Sequence, residues 1–175
     1  MEEQTISSQR PFEGKLISVR VDTVALASGR TATREIVEHP GAVGILPWDG
    51  ERLALVSQWR HATGATLLEI PAGTLERGES PRATAERELA EECGLAADRW
   101  EQGPSFWTAP GFCTERLTLF VATDLREDEV DAPEDEELEL SWLSLADAVA
   151  AVDDGRIIDA KSVAGVLWLA HRLAG

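Results

Sequence analysis

Tyrosine is absent from this chain, methionine occurs once and cysteine twice. Cys93 and Cys113 cannot build a disulfide framework, so the fold has to rest on its core, and a reducing cytoplasm is the simplest setting. No apolar run approaches the roughly 18 residues of a membrane-spanning helix. The opening residues MEEQTISSQR are acidic and polar, unlike the basic and then apolar pattern of a secretory leader. Bases are scarce as well: 16 Lys and Arg stand against 32 Asp and Glu, a net charge of −16. Such a surface repels nucleic-acid backbones and anionic membranes, so neither is an expected partner. It also repels small phosphates, unless metal ions or local arginines invert the field. Among the bases, only Lys15 and Lys161 are lysine.

What is present is ordinary for a globular protein, with 43% hydrophobic and 27% charged residues. Residues 1–13 are polar and expected to be loosely held. Lys15 to Leu26 and Thr31 to His39 alternate as strands about a turn at Ser28-Gly29-Arg30. Residues 1–40 are therefore set off as a small N-terminal antiparallel sheet, and 41–175 as the main domain. In the latter, Ala42 to Pro47 and Arg52 to Trp59 flank the hairpin signal Asp49-Gly50, and Thr66 to Ile70 forms a third strand. Strands are also expected over Trp100 to Thr108, Arg116 to Ala122 and Leu138 to Leu143. Helices are expected over Leu145 to Val152 and about Asp159 to Leu173, the last burying Val163, Val166, Leu167 and Leu169. Strands on both sides of one central helix, with helices at the end, predict an α+β sandwich.

That central helix carries the chemistry. Ser80-Pro81 reads as N-cap and first helical residue, and Gly94 as the stop. Between them Glu88, Glu91 and Glu92 stand at i, i+3 and i+4 and share one face, while Ala85, Leu89, Ala90 and Cys93 fall on the other. Like charges at this spacing repel unless a cation neutralises them. Hard divalent metals take such oxygen ligands.

The stretch is also a pattern. Gly73, five residues, Glu79, seven residues, Arg87-Glu88-Leu89, one residue, Glu91-Glu92, one residue, Gly94-Leu95 resembles the Nudix box at every constrained position. The resemblance implies a mixed sheet between helices, an α/β/α sandwich, to which this chain adds its N-terminal sheet. It implies hydrolysis of a nucleoside diphosphate linked to another group, with magnesium or manganese as cofactor. By position, the metal ligands are Glu88, Glu92 and Glu91, with the carbonyl of Ala72; Glu91 is also a candidate catalytic group. Glu79 is an outer contributor, and Arg87 orients a neighbouring glutamate.

Flanking residues point within the family. Pro110, 16 positions after Gly94, and the run Ala109-Pro110-Gly111-Phe112 resemble the ADP-ribose pyrophosphatase subgroup. So do Gln58-Trp59-Arg60 and Leu68-Glu69-Ile70-Pro71-Ala72-Gly73. What this implies is ADP-ribose split to AMP and ribose 5-phosphate, with Arg60 on a phosphate and Glu69 on the ribose or adenosine. Pro110, Gly111 and Phe112 would line the substrate, and Arg34 would reach it from the partner of a homodimer formed through the N-terminal sheet. The general base is expected in the acidic loop Ala132-Pro133-Glu134-Asp135-Glu136-Glu137, at Glu134 or Glu136, with Glu136 preferred. The alternatives are another sugar nucleotide, a dinucleotide or an oxidised nucleotide as substrate, or a sensing module that binds without turnover. Cys113 is not read as a nucleophile, and His39, His61 and His171 have no zinc-site spacing.

Overall fold

In the computed structural model residues 2–128 and 138–175 are described, and they form two compact units. One comprises Met1–Gly41 and Phe106–Arg116, the other Ala42–Ser105 and Leu117–Gly175. The first holds a three-stranded antiparallel sheet in the order β1 (Gln4–Glu13), β2 (Ser18–Ala25), β3 (Thr31–Glu38). The segment 106–116, expected in the main domain, packs with this sheet instead. Val37 N–H donates to Phe112 O at 2.7 Å and Thr114 N–H to Val37 O at 2.9 Å, so the loop extends the backbone pairing of β3. The expectation of a loose N-terminus is also corrected: β1 is a ten-residue strand paired with β2, with register shifts between Thr5 and Ser7 and between Gln9 and Phe12. All ten of its residues are exposed, so it carries no buried alternation to read, and backbone pairing with β2 holds it.

The second unit is the sandwich. A four-stranded mixed sheet has the order β7 (Ala72–Thr74), β4 (Ala42–Pro47), β9 (Arg116–Glu127), β8 (Leu95–Trp107), with β4 antiparallel to β7 and parallel to β9. A second, antiparallel sheet has the order β10 (Leu138–Ser144), β5 (Arg52–Arg60), β6 (Ala65–Glu69). Strand β4 is buried throughout and points alternate residues to opposite faces. Val43 and Ile45 pack with Ala85, Leu89 and Cys93 of α1 (Pro81–Cys93). On the opposite face Leu46 lies beside Gly165 of α3 (Ala160–Ala174), where an added Cβ would come within 3.3 Å of Leu46 Cδ2 and 3.1 Å of Ile70 Cδ1. Helices therefore cover both faces of the mixed sheet. Helix α2 (Leu145–Asp153) packs on α3, β10 and β5.

Both ends of α1 follow from local chemistry. Ser80 accepts the Ala83 N–H through its side chain at 3.2 Å. Gly94 closes the helix in the left-handed region at φ 62°, and its N–H bonds Ala90 O and Leu89 O. The expected apolar face of α1 is buried as read. In α3 the buried side is Ser162, Gly165, Val166 and Leu169; Leu167, expected inside, is 42% exposed because the stripe runs one residue earlier. Strand β7 was not foreseen, since three residues are too few to show a period.

Leu89 is fully buried at the centre of the α1–β4 contact. Leu89→Ala should cost about 2–5 kcal/mol. The expected sign is a lower urea midpoint with an unchanged slope; an unmoved midpoint would show that α1 does not anchor the core.

Candidate functional site

The chain leaves β6 at Glu69, turns through Ile70-Pro71 and forms the short strand β7 beside α1. Two contacts press the helix glutamates onto this segment. A Cβ built on Gly73 would fall 1.9 Å from both Cδ and Oε1 of Glu88, so only glycine leaves room for that carboxylate against the backbone. Glu92, nearly buried, accepts the Ala72 N–H through Oε2 at 2.9 Å. Glu91, one turn above Glu88, is part-exposed.

Arg87 ties the face together. Its Nη1 donates to Glu88 Oε1 at 2.7 Å and to Glu91 Oε2 at 2.8 Å. Its Nε and Nη2 donate to the two oxygens of Glu79, each at 3.2 Å. Thr84 Oγ1 adds a bond to Glu79 Oε2 at 2.8 Å, and the Glu76 N–H another at 3.3 Å. The Arg87 guanidinium is the main reason the Glu79 carboxyl is lowered to about 2, with Thr84 and the Glu76 amide reinforcing it against a smaller opposing effect of burial. Arg87 is raised in turn, chiefly by Glu79.

Glu79, Glu88 and Glu91 thus meet one guanidinium, and Glu92 lies beside them on the Ala72 N–H, so the donor set is all oxygen and rich in negative charge. That chemistry fits a hard divalent cation. Arg87 Nη1 stands between Glu88 and Glu91, and among the described residues no three His, Cys, Asp or Glu side chains already converge as a metal cluster. The fit therefore rests on the donor set and on the Gly73 cradle that brings Glu88 to the backbone.

A second charged group adjoins the same segment. Glu69 is 1% exposed. It takes Arg60 Nε at 3.0 and 3.2 Å, Arg60 Nη2 at 2.6 Å, and Lys161 Nζ. Lys161 also bonds Asp159 Oδ2 at 3.0 Å. Burial pushes the Glu69 carboxyl up, but Arg60 and Lys161 outweigh it, and the net direction is down. Glu69, expected on the ribose or adenosine, is buried here as an anchor for Arg60 and Lys161. Arg60, 37% exposed along its side chain, keeps Nη1 without a hydrogen-bond partner among the described residues.

The remaining expected residues are placed as follows. Arg34, in the first unit, pairs with Glu3 at 2.6 Å. Pro110, Gly111 and Phe112 lie in the 106–116 segment, with Phe112 exposed. Glu134 and Glu136 lie outside the described residues. Trp59 and Trp107 are exposed. Cys93 is buried and its thiol is raised by burial, which suits packing and not nucleophilic attack. Sequence reasoning missed Thr84, which has no pattern of its own, and Lys161, whose signal was its rarity among so many arginines.

A family model described as NUDIX domain matches residues 38–165, and one described as nucleoside diphosphate sugar hydrolase N-terminal domain matches residues 3–37. The chain belongs to the Nudix family. Its relatives include a methanol dehydrogenase activator of Bacillus methanolicus, 42% identical over 96% of this chain and 92% of that one. An ADP-ribose pyrophosphatase of Bacillus subtilis is 40% identical over 97% and 93%, and one of Mycobacterium tuberculosis 41% identical over 94% and 81%. Among solved structures, one titled crystal structure of ADP compounds hydrolase superposes with a TM-score of 0.90 at 23% identity, covering 100% of this chain and 96% of that one. The Nudix fold read from the sequence is thereby confirmed. Nudix hydrolases generally need a divalent metal.

The lowered carboxyl of Glu79 gives a signed pH effect. Its folded value, about 2, lies below the ordinary 4.5, so its contribution to stability is present above that ordinary value and is lost as pH falls toward the folded one. Urea midpoints measured from about pH 5 down to about pH 2.5 should fall less steeply for Glu79→Gln than for the wild type. Parallel slopes would show that the Arg87–Glu79 contact adds no stability.

Proposed function

We propose that this Nudix protein hydrolyses the pyrophosphate of ADP-ribose to AMP and ribose 5-phosphate in the cytoplasm, using magnesium, with manganese as a substitute. The observation that carries the reading is the Arg87-organised glutamate face of α1, seated on Ala72-Gly73. Glu88, Glu91, Glu92 and the Ala72 carbonyl would hold the cation. When bound, it neutralises the pyrophosphate, polarises phosphorus and acidifies a water. The chain's own residues do the rest. Arg87 fixes the carboxylates, Gly73 admits Glu88 to the backbone, and Arg60 offers Nη1 to a phosphate oxygen. Glu136, or else Glu134, takes the proton of the attacking water.

ADP-ribose is preferred over other nucleoside diphosphate derivatives because two relatives at 40% and 41% identity bear that activity in their names. A homodimer is part of the proposal: Ile6, Phe12 and Leu16 of the N-terminal unit are each more than half exposed, apolar surface that a second copy would cover. The roles expected of Arg34, Pro110, Gly111 and Phe112 go with that pairing of copies. A second reading, favoured by the relative at 42% identity named as an activator, is that the chain acts on a partner dehydrogenase.

A panel of ADP-ribose, other sugar nucleotides, dinucleotides and oxidised nucleotides, assayed with magnesium, separates these readings. ADP-ribose should have the highest kcat/KM, and excess chelator should abolish turnover. Full turnover in chelator would remove the metal assignment, and binding without hydrolysis would favour the activator or sensor. Glu134→Gln and Glu136→Gln, made separately, should cost at least one variant about 10²–10⁴-fold in kcat with an unchanged melting temperature. Two fully active variants would place the base elsewhere.

A further inference from the structure

Lys161 lies under the surface, its side chain 14% exposed, with a carboxylate on either side. It stands in the first turn of α3, whose N-cap is Asp159; the Asp159 side chain accepts the Ser162 N–H at 3.2 Å. One residue on, Ser162 Oγ accepts the Ile70 N–H at 2.8 Å. The start of α3 therefore grips the chain between Glu69 and Ala72 at two points, by an ion pair on Glu69 and a hydrogen bond on Ile70. This is the segment that carries the Ala72–Glu92 contact.

Charge is the sharper consequence. Arg60 Nη2 and Lys161 Nζ share the same oxygen, Glu69 Oε2. Arg60 spends the Nε and Nη2 edge of its fork on Glu69, which leaves Nη1 without a hydrogen-bond partner among the described residues. Without Lys161, the carboxylates of Glu69 and Asp159 would set two negative charges against the one guanidinium of Arg60. With Lys161 between them, Glu69 and Asp159 are balanced by Arg60 and Lys161. Arg60 is also within electrostatic reach of both Glu92 and Asp159. An uncompensated negative charge here would thus add to the field of the glutamate face.

We propose that Lys161, held by Asp159, is a positioning residue for Arg60: it neutralises Glu69 so that the Arg60 guanidinium stays available to the phosphates of the substrate. This rests on the reading that Arg60 meets a phosphate, but not on which nucleoside diphosphate is the substrate. Lys161 itself touches no substrate. Its part is to keep Glu69 from drawing off the charge of Arg60.

The test is calorimetric titration with inorganic pyrophosphate at fixed magnesium, beside steady-state kinetics and melting temperatures. Lys161→Met should weaken pyrophosphate binding about tenfold and raise KM by a similar factor, with kcat moving less than about threefold. Lys161→Arg should stay within about threefold of the wild type. The double variant Glu69→Gln/Lys161→Met should bind within about threefold of the wild type, because it removes one charge of each sign and leaves Arg60 balanced by Asp159. That comparison contains no buried unpaired carboxylate at position 69, so it reads even if Lys161→Met alone does not fold. Equal binding by Lys161→Met and the wild type, binding by the double variant as weak as about tenfold below the wild type, or no pyrophosphate binding by the wild type overturns the inference. Failure of the ADP-ribose reading is seen separately, as a wild type that binds pyrophosphate without hydrolysing ADP-ribose.

Discussion

Carboxylates one helical turn apart repel one another by about 0.2–0.5 kcal/mol even in water, and more where burial strips the solvent away. Helix α1 gathers Glu88, Glu91 and Glu92 in this way; Arg87 holds the first two, and the Ala72 N–H holds Glu92. The fork reaches Glu88 and Glu91 with one nitrogen and Glu79 with the other two, so a single guanidinium fixes carboxylates drawn from both ends of the motif. A lysine, with a point charge and no plane, would not hold three partners in fixed relative positions. Among the described residues the Arg87 guanidinium meets Glu79, Glu88 and Glu91, all of them oxygen donors suited to a hard cation.

The rest of the second unit exists to hold that face against backbone. Strand β4 lies between α1 and α3, and the strand it recruits on its edge, β7, carries Ala72 and Gly73. Glu92 bonds the first of these and Glu88 packs on the second. From the other side α3 holds the incoming chain at Glu69 and Ile70. The segment from Glu69 to Gly73 is thus fixed by two helices from opposite faces of one sheet. Its polar groups are aimed by packing, not by the loop's own stiffness.

Much of this was legible in the residues. The caps of α1 follow from serine, proline and a left-handed glycine, and its two faces from the 3.6-residue period. The box spacing identified the family and hence the sandwich. What escaped reading had physical reasons. Strand β1 is polar on both sides, β7 spans three residues, and segment 106–116 joins the N-terminal sheet through backbone bonds that leave no side-chain trace. Glu69 is pointed at the substrate by the resemblance to the ADP-ribose pyrophosphatase subgroup. Its burial and its two cationic partners, one of them 92 positions away in sequence, depend on tertiary packing that no local pattern records.

The claim beneath the rest is that the α1 glutamate face and the Ala72-Gly73 backbone form one cation site. The most direct measurement is anomalous diffraction from crystals of this protein soaked in manganese. A peak within ligand distance of carboxylate oxygens of Glu88 and Glu92 and of the Ala72 carbonyl, with Arg87 withdrawn from Glu88, is the expected result. A saturated soak with no peak there, or with Arg87 still bridging Glu88 and Glu91 and manganese bound elsewhere, would contradict it.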